Sequence, residues 1–286
     1  MEKKSAVTSA KPAQQKQEGK SGSMFASIVF PLALIAAVCI YMFILGNPNN
    51  FEGGNSDNHP LPGNYLGQVY KGGFIVPILI TIVILVVTFS IERFLTINKA
   101  KGSKGLEAFV RSVRQKLNAN DINGALAICD QQKGSVANVV KAGLLKYQEM
   151  HHDTTMNKDQ RILAIQKEIE EATALELPML EKNLVIISTI ASISTLVGLI
   201  GTVLGMIKAF ASLATASGSP DAAQLANGIS EALINTALGI SGSAIAIVAY
   251  NFFTSKIDAL TYSIDEASYS IIQTYAAQHD ESRRAI

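Results

Sequence analysis

The stretch that decides the fold runs from Asn183 to Ile207 and reads NLVIISTIASISTLVGLIGTVLGMI. It contains no charged side chain, and it is longer than the ~20 apolar residues that a helix needs to cross a bilayer. Three further stretches are also uncharged and long enough to span: Met24–Gly46, Gly72–Ile91 and Ala232–Ser255. The pattern therefore predicts an all-α, polytopic membrane protein with four transmembrane helices.

Composition supports a membrane protein over other classes. Hydrophobic residues make up 48% of the 286 residues and charged residues only 16%, whereas a soluble chain carries roughly 25% charged residues. The net charge of +1 argues against a nucleic-acid binder with a strongly basic field. Cys39 lies in an apolar run and Cys129 in a charged region, so we expect no disulfide framework. No metal site, cofactor motif or nucleic-acid partner is predicted.

The placement of Lys and Arg predicts the orientation of the chain. The N-terminal tail holds five lysines, and residues 92–182 hold fourteen basic residues. The connection 47–71 holds only Lys71, and the connection 209–230 holds none. Because Lys and Arg accumulate on the cytoplasmic side of a membrane, we expect both termini and residues 92–182 in the cytoplasm of a bacterium, with the chain in the inner membrane.

The predicted organisation divides the chain into nine parts. They are a disordered basic tail (1–23), an additional N-terminal transmembrane helix (24–46), a periplasmic loop (47–72), a first core transmembrane helix (73–97), a helical cytoplasmic domain (98–182), a pore helix (183–213), a short periplasmic loop (214–226), a second pore helix (227–255) and a C-terminal cytoplasmic helix or tail (256–286). Within the cytoplasmic domain, Asn120 or Asp121 is expected to cap a helix and Gly134-Ser135 to open the next. Pro178 is expected to kink, without ending, a helix that continues into the third span.

The last two spans are rich in small and polar residues. Gly198, Gly201 and Gly205 share one face of the third span, and Gly239 lies on a small-residue face of the fourth with Ala232, Thr236 and Ser243. Small residues let membrane helices pack closely, which is sufficient to explain the glycines. Thr202 and Thr236 admit two interpretations, since a threonine hydroxyl either bonds its own helix or lines a polar pathway.

Two charged residues stand near the outer ends of these spans. A carboxylate in or beside a span marks an ion path or an ion pair, so Glu231 is a candidate for either, with an interfacial glutamate as the alternative. If Thr202 and Thr236 lie at one depth, Lys208 is about 9 Å and Glu231 about 7.5 Å further out on antiparallel helices. We therefore predict that Lys208 and Glu231 pair, within or between subunits. The alternative is that Lys208 extends alone to the interface.

Two long motifs resemble a known family. They are Gly198-Leu-Ile-Gly-Thr-Val-Leu-Gly-Met-Ile-Lys-Ala-Phe210 and Leu225-Ala-Asn-Gly-Ile-Ser-Glu-Ala-Leu-Ile-Asn-Thr-Ala-Leu-Gly-Ile240. Together with Gly72-Gly-Phe-Ile-Val-Pro77 and Ile91-Glu-Arg93, they resemble the ExbB/TolQ/MotA proton-channel family, most closely its ExbB/TolQ branch. The chain departs from the family pattern in its additional N-terminal span and in Ile245, where the family usually has a proline.

The resemblance implies a function and partners. Five copies would form a homopentamer around a dimer of an ExbD/TolR-like single-span protein, whose aspartate would pass protons beside Thr202 and Thr236, with Glu231 as the motif carboxylate. The pentamer would be surrounded by membrane lipid, and proton flow through it would drive a TonB-like energy transducer. A TolQ-like subunit, a flagellar stator, a gliding or secretion motor and a non-conducting scaffold remain alternatives. Gly239-Ile-Ser-Gly242 matches a rhomboid protease motif, but no histidine lies within a span to act as its base, so we do not expect an enzyme.

Overall fold

The structure, a computed structural model of the chain, describes residues 19–215 and 222–279. These residues form helices and turns, and the described ranges contain no β-strand, only an isolated bridge between Phe51 and Pro60. The all-α fold class is therefore confirmed. The helices are α1 (Gly19–Cys39), α2 (Tyr65–Tyr70), α3 (Ile75–Lys101), α4 (Leu106–Asn118), α5 (Ile122–Gln132), α6 (Ser135–His152), α7 (Lys158–Glu181), α8 (Leu184–Thr215) and α9 (Ala222–Gln278).

In the part of the chain that the structure describes, four helical segments are long and apolar enough to cross a membrane, as the sequence predicts. They are Phe25–Leu45, Ile75–Asn118, Lys158–Ala211 and Gln224–Gln278, and the mean hydropathy of their most apolar windows ranges from 1.8 to 2.8. The last three are longer than a bilayer requires, because the helices continue beyond the apolar stretch. The continuing parts, together with α4–α6, form a helical extension of residues 92–182 and 256–279.

Helices α8 and α9 form the centre of the fold. Helix α8 has 32 residues and α9 has 57, which gives lengths of about 48 and 85 Å. Helix α9 continues without a break through Ile245, at the position where a proline would remove a backbone hydrogen bond. The two predicted parts 227–255 and 256–286 are thus one helix as far as Gln278, and residues 280–286 lie outside the described residues.

The helix before the third span does stop, which corrects the predicted continuity. Pro178 lies inside α7, as expected, but α7 ends at Glu181 and α8 begins at Leu184. Asn183 has φ +64°, a left-handed conformation that an asparagine tolerates better than most residues and that cannot continue a helix. The break between α7 and α8 is therefore set by Asn183 and not by the proline.

A buried arginine of α3 stabilises this break. Arg93 is 2% exposed, and its Nη1 donates to the carbonyl oxygens of Met179 and Leu180, at 3.3 and 3.1 Å. Carbonyl groups in the last turn of a helix lack hydrogen-bond donors within the helix, and Arg93 supplies a donor to them. The Arg93 guanidinium also donates to the Glu92 carboxylate at 2.5 and 2.7 Å, and Asn183 Nδ2 donates to the same carboxylate at 3.1 Å.

The helices of the extension begin where the sequence indicates. The carboxylate of Asp121 accepts from the backbone amide of Gly124 and caps α5, and Gly134 immediately precedes α6. Asn157 and Gln160 form a reciprocal capping box at the start of α7. The apolar faces of α4, α6 and α7 pack against α9, while α5 packs against α4 and α6. The shared core includes Val113, Leu144, Ile165, Ile264 and Ile271.

The N-terminal part differs from the predicted boundaries at both ends. Helix α1 begins at Gly19, inside the predicted tail 1–23, because helical hydrogen bonding extends beyond the apolar run, and residues 1–18 lie outside the described residues. A π-helical turn, Ile40–Leu45, extends α1, and Ala33 and Ala37 are buried. The predicted loop 214–226 is shorter, because α8 continues to Thr215 and α9 begins at Ala222; residues 216–221 lie outside the described part.

Candidate functional site

Helices α8 and α9 cross with their backbones in direct contact. A Cβ atom on Gly239 would lie 2.8 Å from the Gly198 Cα atom, and a Cβ atom on Gly198 would lie 2.9 Å from the Asn235 carbonyl oxygen. Such distances are too short for a side chain, so both positions require glycine. The buried Ser194 Oγ donates to the Gly239 carbonyl oxygen at 2.8 Å and joins the helices at the same level.

The other two glycines singled out from the sequence lie on the same interface. A Cβ atom on Gly201 would meet the side chain of Asn235 at 2.5 Å, and one on Gly205 would lie 2.8 Å from the Ala232 amide nitrogen. Gly228, which was not singled out from the sequence, approaches Ala209 in the same way. Its place four residues before Ala232, on the same helix face, is the signal that could have identified it.

The structure brings Thr202 and Thr236 together at this crossing. Their hydroxyl groups are hydrogen-bonded to each other, and Thr202 Oγ1 also donates to the Gly198 carbonyl oxygen at 3.2 Å. The Thr202 hydroxyl therefore bonds its own helix and a hydroxyl of the neighbouring helix, and a polar pathway along the two threonines stays a prediction. A hydroxyl is both donor and acceptor, so this pair is a polar contact between two helix segments, 184–207 and 232–255, that carry no charged residue.

The structure also places Lys208 and Glu231 in contact within one chain. Lys208 Nζ lies 2.8 Å from Glu231 Oε2, and the side chains are 72% and 14% exposed. The carboxylate is thus held inside the fold while the ammonium group reaches it from the surface. Exposed ion pairs contribute little to stability, so this pair is better understood as fixing the place of the carboxylate.

Glu231 does not contact the two threonines, although the sequence predicts all three residues on one pathway. Its described polar partner is Lys208, and its Oε1 lies 2.4 Å from the position that a Cβ atom on Gly73 would take. The candidate site therefore has two parts. The hydroxyl pair lies at the α8–α9 crossing, and the ion pair lies beside the residues that precede α3.

Asn235 was not singled out from the sequence. It is 1% exposed, its Nδ2 donates to the Gly72 carbonyl oxygen at 2.9 Å, and its Oδ1 has no hydrogen-bond partner among the described residues. A buried amide with an unpaired oxygen is costly, so a role other than stability is expected. The available signal was a polar residue one helical turn after Glu231, on the same face of α9.

Groups outside the candidate spans show the electrostatics of the helical extension. Burial, together with the nearby His279, His152 and Arg161, lowers the pKa of His151, whose Nδ1 lies 3.0 Å from His279 Nε2. Burial raises the pKa of the Cys129 thiol to about 12. In the two described ranges, no three His, Cys, Asp or Glu side chains are grouped so that they could hold a metal ion.

The rhomboid-like motif has no catalytic arrangement in the described residues. Ser241 Oγ donates to the Ala237 carbonyl oxygen of its own helix, at 2.7 Å. His151 and His279 contact each other at the far end of the helical extension, and His59 lies in the connection before α3. None of these rings is hydrogen-bonded to the serine.

Comparison with known proteins points to one family. Residues 131–266 match the profile of the MotA/TolQ/ExbB proton channel family. These residues include the end of α5, α6, α7, α8 and most of α9, and thus all of the α8–α9 crossing. The match therefore includes Thr202, Thr236, Lys208 and Glu231, whereas α1 and α3 lie outside it.

Curated relatives carry two kinds of name. The chain is 28% identical over 184 residues to the Tol-Pal system protein TolQ of Pseudomonas aeruginosa, which covers 64% of this chain and 79% of that protein. It is 33% identical to the putative biopolymer transport protein ExbB-like 3 of Synechocystis sp. (40% and 54% covered) and 40% identical to the biopolymer transport protein ExbB of Helicobacter pylori (33% and 64% covered). The chain thus covers less than two thirds of the length of the Synechocystis and Helicobacter proteins. Residues 131–266 thus carry the sequence pattern of the MotA/TolQ/ExbB proton channel family, and the relatives named TolQ and ExbB support the same family.

Proposed function

We propose that this chain is the proton-channel subunit of an inner-membrane motor driven by the proton-motive force, which energises outer-membrane transport through a TonB-type system with an ExbD-like partner. The observation that carries the proposal is the hydroxyl pair of Thr202 and Thr236, where the uncharged segments 184–207 and 232–255 of two long helices cross. A pair of neutral hydroxyls can hydrogen-bond a protonated carboxyl group or water without binding a charge tightly, and an aliphatic wall cannot.

One copy of the chain does not enclose a path. The face of α8 away from α9 is apolar and open, with Leu196, Leu199, Ile200, Val203 and Ile207 each more than half exposed. Large exposed apolar surfaces of this kind are covered by lipid or by other protein. We propose that five copies cover it by forming a ring, and that a dimer of the single-span partner fills the centre of that ring.

In this arrangement the threonines of the chain can hydrogen-bond the carboxyl group of the partner. The partner contributes an aspartate to an otherwise uncharged pore, and the threonines offer it hydrogen bonds in both protonation states. Glu231 and Lys208 lie further towards the end of the bundle that carries residues 46–74, which becomes the periplasmic end if Lys and Arg mark the cytoplasmic side. Both termini and the helical extension then lie in the cytoplasm.

A TolQ-like role is the second candidate, and a specific observation favours it. Among the relatives compared above, the TolQ of P. aeruginosa shares the longest segment with this chain. The two roles use the same pore and differ in the protein that is energised. Capture of the energy transducer from the native host separates them: a TonB-like partner supports the first role, and a component of a Tol-Pal system supports the second.

The proton-channel role is tested with the full chain purified together with its partner. The tagged chain is isolated from its native host, the co-purifying single-span protein is identified, and the complex is reconstituted into vesicles that contain a pH-sensitive dye. We expect a proton flux that follows the imposed gradient and that Glu231→Gln reduces. Glu52→Gln serves as the matched control, because Glu52 is an exposed carboxylate near the same end.

The result separates a motor from a scaffold. A stable pentamer without any proton flux, or a flux that does not need the single-span partner, contradicts the proposal. The ion pair is tested with Lys208→Glu, Glu231→Lys and the double exchange. Recovery of flux in the double exchange indicates a functional pair, and the same exchange at the pair Lys146–Glu149 of the helical extension should leave flux unchanged.

A further inference from the structure

The additional N-terminal helix is bound to the residues that precede α3. The Tyr41 hydroxyl donates to the Tyr70 carbonyl oxygen at 3.1 Å, and the two rings stack with their centroids 4.6 Å apart. Asn50 Nδ2 donates to the carbonyl oxygens of Ile44 and Leu45 at 2.8 and 2.9 Å, and Asn50 is itself buried. The end of α1 is therefore held to the connection by several specific contacts, and not by lipid-like packing alone.

The Tyr70 carbonyl group also binds Gly73, which lies beside the carboxylate of the candidate site. The Tyr70 carbonyl oxygen accepts from the Gly73 amide at 3.2 Å as well as from Tyr41. Gly73 has φ +76°, and the Glu231 Oε1 atom lies only 2.4 Å from the position that a Cβ atom on Gly73 would take. Because an alanine there would be strained and would collide with the carboxylate, the glycine leaves room for Glu231.

A second contact binds the connection to the same face of α9. Asn235 Nδ2 donates to the Gly72 carbonyl oxygen, and a Cβ atom on Gly72 would lie 3.2 Å from Asn235 Oδ1 and 2.6 Å from Val76. Asn235 follows Glu231 by one helical turn and faces the same way. Gly73 therefore approaches Glu231 closely. Gly72 accepts a hydrogen bond from Asn235, which lies one helical turn further along α9.

We infer that α1 and the connection 46–73 are a positioning element for the Glu231 carboxylate, with Tyr41, Gly73 and Asn235 as positioning residues. Tyr41 holds the Tyr70 carbonyl, the Tyr70 carbonyl holds Gly73, and Gly73 and Lys208 enclose the carboxylate from two sides. Asn235 fixes the distance between the connection and α9. This gives the additional span a task that simple membrane anchoring does not require.

The inference rests on the proposed function for its importance, but its test does not need proton flux. The rate at which a water-soluble carbodiimide modifies Glu231 in the full-length complex reports the place and accessibility of the carboxylate, and peptide mass spectrometry reads it residue by residue. Tyr41→Phe keeps the stacked ring and removes only the hydroxyl. We expect about a threefold rise in the rate at Glu231, the effect of one hydrogen bond of the strength measured between membrane helices.

Matched variants separate positioning from strain and from misfolding. Gly73→Ala and Gly63→Ala both place an alanine at a positive φ, but no atom of the described residues lies within 4 Å of a Cβ atom on Gly63. Gly73→Ala and Asn235→Leu should raise the rate at Glu231 more than Tyr41→Phe does, and Gly63→Ala and Tyr65→Phe should not change it. Tyr65 is 78% exposed in the same connection.

The outcomes distinguish this inference from the proposed function. Unchanged modification of Glu231 in both Tyr41→Phe and Gly73→Ala overturns the positioning role, whether or not the complex conducts protons. Changed modification in a complex that conducts no protons supports the positioning role and contradicts the channel. If Gly73→Ala does not fold, Tyr41→Phe decides alone, since it removes one hydroxyl and no packing volume from the ring.

Discussion

Gly239→Ala is the substitution that most directly tests the close crossing of α8 and α9. The added Cβ atom would lie 2.8 Å from both the Gly198 Cα atom and the Ser194 carbonyl oxygen. Both neighbours are backbone atoms, so neither can turn aside as a side chain would. Ordinary contacts of this kind begin at 3.4 Å, and the difference of about 0.6 Å must be met by moving the two helices apart.

The expected cost follows from three contributions. Overpacking costs about 1–3 kcal/mol, and the loss of the Ser194–Gly239 hydrogen bond adds about 0.6 kcal/mol. Replacing glycine by alanine inside a helix is favourable by about 1 kcal/mol. The net change in the free energy of unfolding is therefore a loss of roughly 0.5–2.5 kcal/mol, opposite in sign to what helix propensity alone predicts.

The assay is reversible unfolding of the full chain in mixed micelles, followed by circular dichroism. Gly242→Ala should cost less than Gly239→Ala, because the close neighbour of its Cβ atom would be the Ser194 Oγ atom, at 2.5 Å, which can rotate at the cost of its hydrogen bond to Gly239. Gly105→Ala is the steric control, because none of the described residues lies within 4 Å of its Cβ position. If Gly239→Ala is as stable as the unchanged chain, or more stable, the helices do not cross as closely as described.

Two further predictions concern the helical extension. Arg93→Ala should lower the free energy of unfolding by about 2–3 kcal/mol, since it removes charge-assisted hydrogen bonds to Glu92 and to two helix-end carbonyls. Arg93→Lys should restore little of this free energy. Arg111→Ala, at an exposed position, should have almost no effect. The pKa of His151 is lowered from 6.5 in the folded chain, so folding favours its neutral form. The stability that the neutral His151 contributes is present above pH 6.5 and is lost as the pH falls through the pKa of the folded chain. Hydrogen exchange of residues 275–279, relative to intrinsic rates, should therefore rise between pH 7.5 and 5, and a flat profile would contradict the contact between His151 and His279.

The four spans could be predicted from the sequence because apolar length is a local property. The same holds for the cap of α5 by Asp121 and for the start of α6 after Gly134. The glycine faces were also predictable, since a 3.6-residue period places Gly198, Gly201 and Gly205 on one side of a helix. The contact between Lys208 and Glu231 followed from helix rise, once Thr202 and Thr236 were assumed to lie at one level.

The remaining features depend on contacts between distant parts of the chain. The hydrogen bond from Asn235 to Gly72 joins residues 163 positions apart, and the one from Arg93 to Leu180 joins residues 87 apart. Neither partner has a local signal that identifies the other. The break at Asn183 was missed for the same reason, because the side chain of this left-handed residue is bound by Glu92 of α3, which is 91 positions away.

Proton flux through vesicles containing the complex, with Thr202 and Thr236 changed to valine or to serine, is the most direct test of the central claim. Valine keeps the shape of threonine and removes the hydroxyl, and serine keeps the hydroxyl. Thr88→Val is the control, since its hydroxyl bonds only the Ile84 carbonyl oxygen of its own helix. The account predicts that flux falls at least tenfold in either valine variant, a barrier increase of about 1.4 kcal/mol, and is retained in the serine variants. Unchanged flux in the Thr202→Val, Thr236→Val double variant would contradict it.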